Sequence, residues 1–297
     1  MRSLVTIALV GLGAQLVDGT LGMAYGVTST TLLLTVGYSP AVASAAVHLA
    51  EIGTTLASGA AHWRFGNVNW RVVRDIGLPG AIGAFLGATF LSSLSTESAA
   101  PWMAGILLAL GMYLLLRFAT KVPTLKRETV PSRRFLAPLG LFAGFVDATG
   151  GGGWGPVATP TLIGTGRMTP RRVIGTVDTS EFLVAVAASA GFLVGIGSQE
   201  IPWNAVLGLL AGGLVAAPVA AYLVRHVPTR LLGVAVGGAI LLTNARTLLN
   251  AFDVGNDPRV SIYLTISAVW LVFLGLALQG MRNDRQSARR EEDRVAA

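Results

Sequence analysis

Six ionisable residues sit inside apolar stretches of this 297-residue chain, and they form matched pairs: Asp18 with Asp147, His48 with Asp178, and Glu51 with Glu181. His48 and Glu51 are three residues apart, as are Asp178 and Glu181, so each couple shares one face of a helix. Ionisable groups at membrane depth are costly; they line cavities, meet buried partners or mark proton paths. Desolvation favours the neutral form of a carboxyl group, so these six residues suit proton coupling or gating. The competing reading is a structural network that ties helices together, for example His48 with Glu51 or Asp18.

Two of the acids open glycine clusters. The first is Asp18-Gly19-Thr20-Leu21-Gly22-Met23-Ala24-Tyr25-Gly26, and the second is Asp147-Ala148-Thr149-Gly150-Gly151-Gly152-Gly153-Trp154-Gly155-Pro156. Glycine frees the backbone, so neither stretch continues as one regular helix. A half-helix that restarts after such a break offers unpaired N–H groups and a partial positive charge, which together bind anions. The expected substrate-binding residues are Gly22, Gly26, Thr28 and Ser29 in the first copy. In the second they are Thr149, Gly150, Gly151, Gly152, Gly153 and Trp154, and the longer glycine run makes this copy the stronger cradle. Packing glycines that only permit close helix crossing are the plainer alternative. Trp63, Trp70 and Trp203 read as anchors at the membrane interface.

These residues need elements that hold them in a bilayer. The composition is 53% hydrophobic and only 12% charged, with a mean hydropathy of +0.64, whereas soluble domains carry about a quarter charged residues. The chain therefore reads as an all-α, polytopic transmembrane bundle in the plasma membrane, with the lipid bilayer as its surroundings. The net charge of +7 comes from short loops between apolar runs, which excludes nucleic acid as a partner. With no Cys and three His, and no zinc-ligand spacing, phosphate-loop lysine or catalytic triad pattern, no metal site or cofactor is expected.

Apolar runs are expected at 4–36 (broken at 18–26), 39–61, 77–94, 101–119, 136–164 (broken again), 173–197, 205–224, 231–249 and 260–278. The two Asp residues lie 129 positions apart and the two Glu residues 130 apart. Acid, glycine cluster, Ser/Thr-Pro and second acid recur in one order, which is an internal duplication. The expected organisation is a first repeat over 1–119, a basic cytoplasmic loop at 120–134, and a second repeat over 135–250. An extra C-terminal helix at 251–280 and a charged cytoplasmic tail at 281–297 complete it. Basic loops belong inside: 62–75 and 120–134 are basic, as are Arg167, Arg171, Arg172 and Arg230, whereas Glu97 and Glu200 mark acidic turns. Equivalent loops then fall on opposite sides. That is an inverted repeat with broken or re-entrant helices, the architecture of secondary transporters; spacing leaves open whether each broken region is a hairpin or a kinked span.

The glycine-rich broken helix, its recurrence after a basic central loop, and the segment His62-Trp63-Arg64-Phe65-Gly66-Asn67-Val68-Asn69 together resemble the TauE/SafE sulfite exporter family over roughly residues 5–280. The first copy departs from the family pattern in lacking Pro after its glycines. The resemblance implies a permease for small sulfur-containing anions such as sulfite or organosulfonates. The expected function is proton-coupled export of a small inorganic or organic anion by alternating access at the repeat interface. The partners are the anion, protons and a second copy in a homo-oligomer. A membrane-embedded enzyme using the buried acids and a non-transporting assembly subunit are the alternatives.

Overall fold

A computed structural model describes residues 4–21, 23–119, 129–223 and 229–296, which form eleven helices and no strand among them. They are α1 (Leu4–Leu21), α2 (Tyr25–Thr35), α3 (Pro40–Arg64), α4 (Trp70–Ser93), α5 (Thr96–Ala119), α6 (Arg133–Gly150), α7 (Trp154–Gly164), α8 (Pro170–Gly195), α9 (Trp203–Leu223), α10 (Thr229–Ala251) and α11 (Asn256–Ala296). Both broken regions resolve into a helix of 18 residues followed by one of 11, about 27 Å and 16 Å long. The second break needs glycine on conformational grounds, because Gly151 has φ +67° and Gly152 φ +142°, values that side chains resist.

Several boundaries differ from the sequence reading. α4 begins at Trp70 rather than 77 because the Asn69 side chain caps it, accepting from the Val72 N–H at 3.2 Å. α5 begins at Thr96 rather than 101, since the Ser95 carbonyl already accepts from the Ser98 and Ala99 N–H groups. α11 runs on to Ala296, well beyond the apolar run that ends near 278. Of the basic central loop, 120–128 lie outside the described residues.

The halves exchange partners. α1 packs mainly on α9, and α6, its equivalent in the second half, packs mainly on α4. Glycines make this possible: a Cβ at Gly83 or Gly144 would overlap the Leu141 or Gly80 carbonyl oxygen, and one at Gly212 the Ala8 oxygen. The predicted close-packing face at Gly83 and Gly87 is thus the α4–α6 seam, where backbones approach as small residues allow. Register is read from these contacts. Gly140 meets Ile76 and Gly144 meets Gly80, so α6 and α4 run parallel. Gly175 meets His62 and Gly59 meets Thr179, so α3 and α8 run antiparallel; α5 and α10 do the same through Gly111 with Ile240 and Gly233 with Phe118.

The second broken region is a hairpin. The Thr129 N–H, just before α6, donates to the Arg167 carbonyl, just after α7, at 2.7 Å, so the chain returns to the end from which it left. α11 stands apart. Its few buried contacts are with α5 and α10 around Leu115, Val234 and Leu241, while Leu264, Leu271 and Val272 are exposed.

Candidate functional site

The repeated acids begin the site, and the structure gives them the same local geometry. Asp18 Oδ1 accepts from the Ala24 and Tyr25 N–H groups at 2.7 and 3.0 Å. Asp147 Oδ1 accepts from the Gly153 and Trp154 N–H groups at 2.7 and 2.9 Å. Each aspartate thus reaches across its break to the sixth and seventh residues ahead and caps the following half-helix. The Gly151 and Gly152 N–H groups also turn inward, onto the Asp147 carbonyl. The donors of the glycine run are therefore largely engaged by Asp147 itself. First-turn N–H groups without an intrahelical acceptor then fall at Gly26 and Val27 of α2 and at Gly155 of α7, since Pro156 has none.

The breaks touch one another. The Thr30 hydroxyl donates to the Gly151 carbonyl, and a Cβ at Gly152 would collide with the backbone of Gly26 and Val27. Beside this junction His48, fully buried, holds Asp147: Nδ1 donates to the Ser44 carbonyl at 2.8 Å, and Nε2 lies 3.1 Å from Asp147 Oδ2. Because a carbonyl can only accept, Nδ1 carries a proton, and the ring is anchored at both nitrogens. The Ser44 hydroxyl donates to the Ala148 carbonyl at 2.7 Å, and Phe192 of α8 lies against the imidazole with ring centroids 6.0 Å apart.

On the other flank of the junction lies a cavity of about 630 Å³. Its walls are a stripe on α3 (Glu51, Thr55, Ser58, His62), a stripe on α8 (Ile174, Val177, Asp178, Glu181), the α2 tip at Tyr25 and Gly26, and α9 at Gly213 and Leu214. Gly152, Gly153 and Gly155 also line it, as does Asp18 from α1. Ser58 Oγ donates to Asp178 Oδ2 at 2.7 Å. Glu51 is 2% exposed, and its Oε2 has no hydrogen-bond partner among the described residues. From Glu51 the cavity runs along α3 to His62 and the exposed Ala61, near the Arg171 charge. The loop beyond is tied down: Asn67 Nδ2 approaches His62 Nδ1, and the Asn69 N–H donates to Thr176 Oγ1.

The structure thus brings Gly26, Gly152, Gly153, Asp18, Glu51, Asp178 and Glu181 to one cavity. His48 and Asp147 sit behind it as a bonded pair. The remaining candidates lie elsewhere. Thr28 and Ser29 are buried in α2, and Thr149 donates to the Phe145 carbonyl of its own helix. Gly150 faces Ile106, and Gly151 faces Thr30. Trp154 is fully buried against Gly80 and donates to the Val177 carbonyl. Gly22 lies outside the described residues. Sequence reasoning passed over Gln15, Tyr25, Thr54, Ser58 and Thr159, all of which line the cavity. The polar stripe Glu51, Thr55, Ser58 and His62 at helical spacing was the signal for that wall of α3.

The Gly175 contacts place His62 and the polar loop after α3 directly over the start of α8. This is the loop whose sequence carried the family resemblance. The sequence profile of the family described as sulfite exporter TauE/SafE matches residues 7–247. A Bacillus subtilis (strain 168) protein named "Probable membrane transporter protein YtnM" is 52% identical over 287 residues, spanning 95% of this chain and 96% of its own length. No solved structure matches the chain. A multi-pass helical protein with a cavity at the junction of two broken helices, matched along nearly its whole length, belongs to the TauE/SafE sulfite exporter family of membrane transporters.

Proposed function

We propose that this transporter exports small sulfur-containing or organic anions, such as sulfite or organosulfonates, in a proton-coupled cycle. The observation that carries the reading is the cavity where the two broken helices meet. It offers first-turn N–H groups to an anion and carboxyl groups to protons, and its lining reaches the exposed end of α3 at Ala61 and His62. At about 630 Å³ it lies within the range of small-molecule sites and holds a small anion with its water. The anion sits against Gly26 and Gly155, where helix N-termini favour negative charge.

The antiparallel pairing of α3 with α8 and of α5 with α10 supports an inverted repeat, with the two hairpins entering from opposite faces. The basic segments at the His62 and Arg171 end support a cytoplasmic location for that end, in which case the cavity loads from inside. The His48–Asp147 pair and Trp154 close the outward path, and alternating access exchanges the two sides. Reconstitution of the full chain in liposomes, with sulfite, sulfate, a sulfonate and a carboxylate offered across a pH gradient, tests this. Saturable flux of one of these anions, responsive to the gradient, is expected; wild-type protein that moves none of them sinks the reading.

A further inference from the structure

The cavity sets an electrostatic problem for the anion just proposed, and the coupling inferred from it rests on that reading. Four carboxyl groups reach it: Asp18 from α1, Glu51 from α3, and Asp178 and Glu181 from α8. The repeat makes the imbalance plain. Behind the junction, His48 faces Asp147 at 3.1 Å, a base answering an acid. At the equivalent positions on the cavity side stand Asp178 and Asp18, an acid facing an acid, so the internal cation is missing. Ser58 answers one oxygen of Asp178 and two backbone N–H groups answer Asp18. Glu51 is different: it is buried, aimed into the cavity, and unpartnered at Oε2. Its Oε1 lies 2.9 Å from the place a Cβ on Gly26 would occupy, against the first turn of α2. An ionised Glu51 is therefore itself the anion of that helix terminus.

We infer that Glu51 and its repeat counterpart Glu181 form a proton-binding site, and that a proton on it must share the cavity with the transported anion, so the two move in the same direction. The groups that face this site are Asp18 on α1, the Tyr25 phenol on α2, His48 on α3, Asp147 on α6 and Asp178 on α8. α9 contributes Gly213 and Leu214 to the lining. His62 and Arg171 stand at the mouth, with His48 already held by Asp147. An anion placed among ionised carboxylates is repelled by each of them. A proton on Glu51 removes one charge and frees the α2 terminus for the anion. By linkage, the bound anion tightens proton binding in the same measure. Cooperative occupancy of this kind gives symport, whereas exchange would require proton and substrate to compete for one site. The direction of net flux is then set by the sum of the anion and proton gradients, and export proceeds where the outward anion gradient exceeds any inward proton gradient.

Two measurements on the full chain test this. Infrared difference spectra of the detergent-solubilised wild type, titrated through neutrality, are expected to show a protonated-carboxyl band that Glu51→Gln and Glu181→Gln each diminish. A wild type lacking the band, or variants that retain all of it, overturns the proton site. In liposomes with an organosulfonate, whose charge does not change near neutrality, an internal pH dye is expected to report protons moving with the anion. Flux is expected to fall about tenfold per pH unit once the pH exceeds the titration point of the site, for a single required proton. Glu51→Gln and Glu181→Gln are expected to lose that pH dependence and the accompanying proton movement. Protons moving against the anion, or variants that keep the wild-type pH slope, overturn the coupling. Absence of sulfite, sulfonate and carboxylate flux from wild type instead sinks the transport reading and the coupling with it, while the infrared result alone decides the proton site.

Discussion

Asp147 carries more of the structure than its repeat partner. Both aspartates cap a half-helix through two N–H groups, but only Asp147 also holds His48, and it is 1% exposed with His48 at 0%. Replacing it with Ala leaves a buried imidazole and two buried N–H groups unanswered. Breaking a buried pair from one side costs about 3–5 kcal/mol, whereas losing a cap alone costs about 0.5–2 kcal/mol. Asp147→Ala is therefore expected to lower the thermal unfolding midpoint in detergent distinctly further than Asp18→Ala; equal shifts would show that the imidazole contact adds nothing. The equivalence of the two aspartates was legible in their spacing and glycine context. Their capping bonds were not, because they depend on how the chain turns at each break, at Gly151 and Gly152 in the case of Asp147. The partner of His48 was equally hidden. Periodicity places it on a face with Glu51, but Asp147 is 99 residues away, and no local pattern encodes that distance.

At the scale of elements, the broken regions were visible as apolar runs too long for one crossing and too short for two. Whether such a run reverses depends on where its ends finish, which one strand of sequence cannot state. The Thr129–Arg167 bond states it for α6 and α7. A hairpin keeps these exposed residues together, whereas a kinked span would part them by the bilayer core, about 30 Å. The chain has no Cys, so a Thr129→Cys/Arg167→Cys pair has no competing thiol. A backbone hydrogen bond between the two residues brings their Cα atoms within the ~4.4–6.8 Å that disulfides require. Mild oxidation is expected to protect both thiols from alkylation, read as an unmodified mass; full alkylation of folded, oxidised protein would contradict the hairpin. The α4–α6 seam was more legible, since its glycines recur at helical spacing. Their partners Leu141 and Phe145 became known only once the halves were seen to exchange helices.

For the whole molecule, the relative directions of the helices gather the charges at two ends. His62 meets Gly175, Thr129 meets Arg167, Gly233 meets Phe118, and Gly280 meets Arg230. Together these contacts bring the polar loop after α3, the starts of α6, α8 and α10, and the C-terminal part of α11 to one end. Arg64, Arg133, Arg134, Arg167, Arg171, Arg172, Arg230 and Arg282 all belong there. At the opposite end Gly195 meets Ser92, so the turns bearing Glu97 and Glu200 lie side by side. The loop charges alone imply such a division, and these contacts are consistent with it. On the positive-inside rule, the orientation proposed above puts His62, the cavity mouth and the start of α8 in the cytoplasm. Single cysteines at Trp63 and Arg167, both exposed, are expected to react with a membrane-impermeant maleimide only after cells are opened. Cysteines at Glu97 and Glu200, also exposed, are expected to react in intact cells. The two halves enter this test separately, because position 63 lies in the first and 167 in the second. Labelling of 63 and 167 from opposite faces would mean that the halves share one orientation, which would remove both the inverted repeat and the cytoplasmic mouth. Labelling of all four positions with the sides reversed would keep the repeat and turn the cavity outward, so that the same carboxyl-lined site would load its anion from outside.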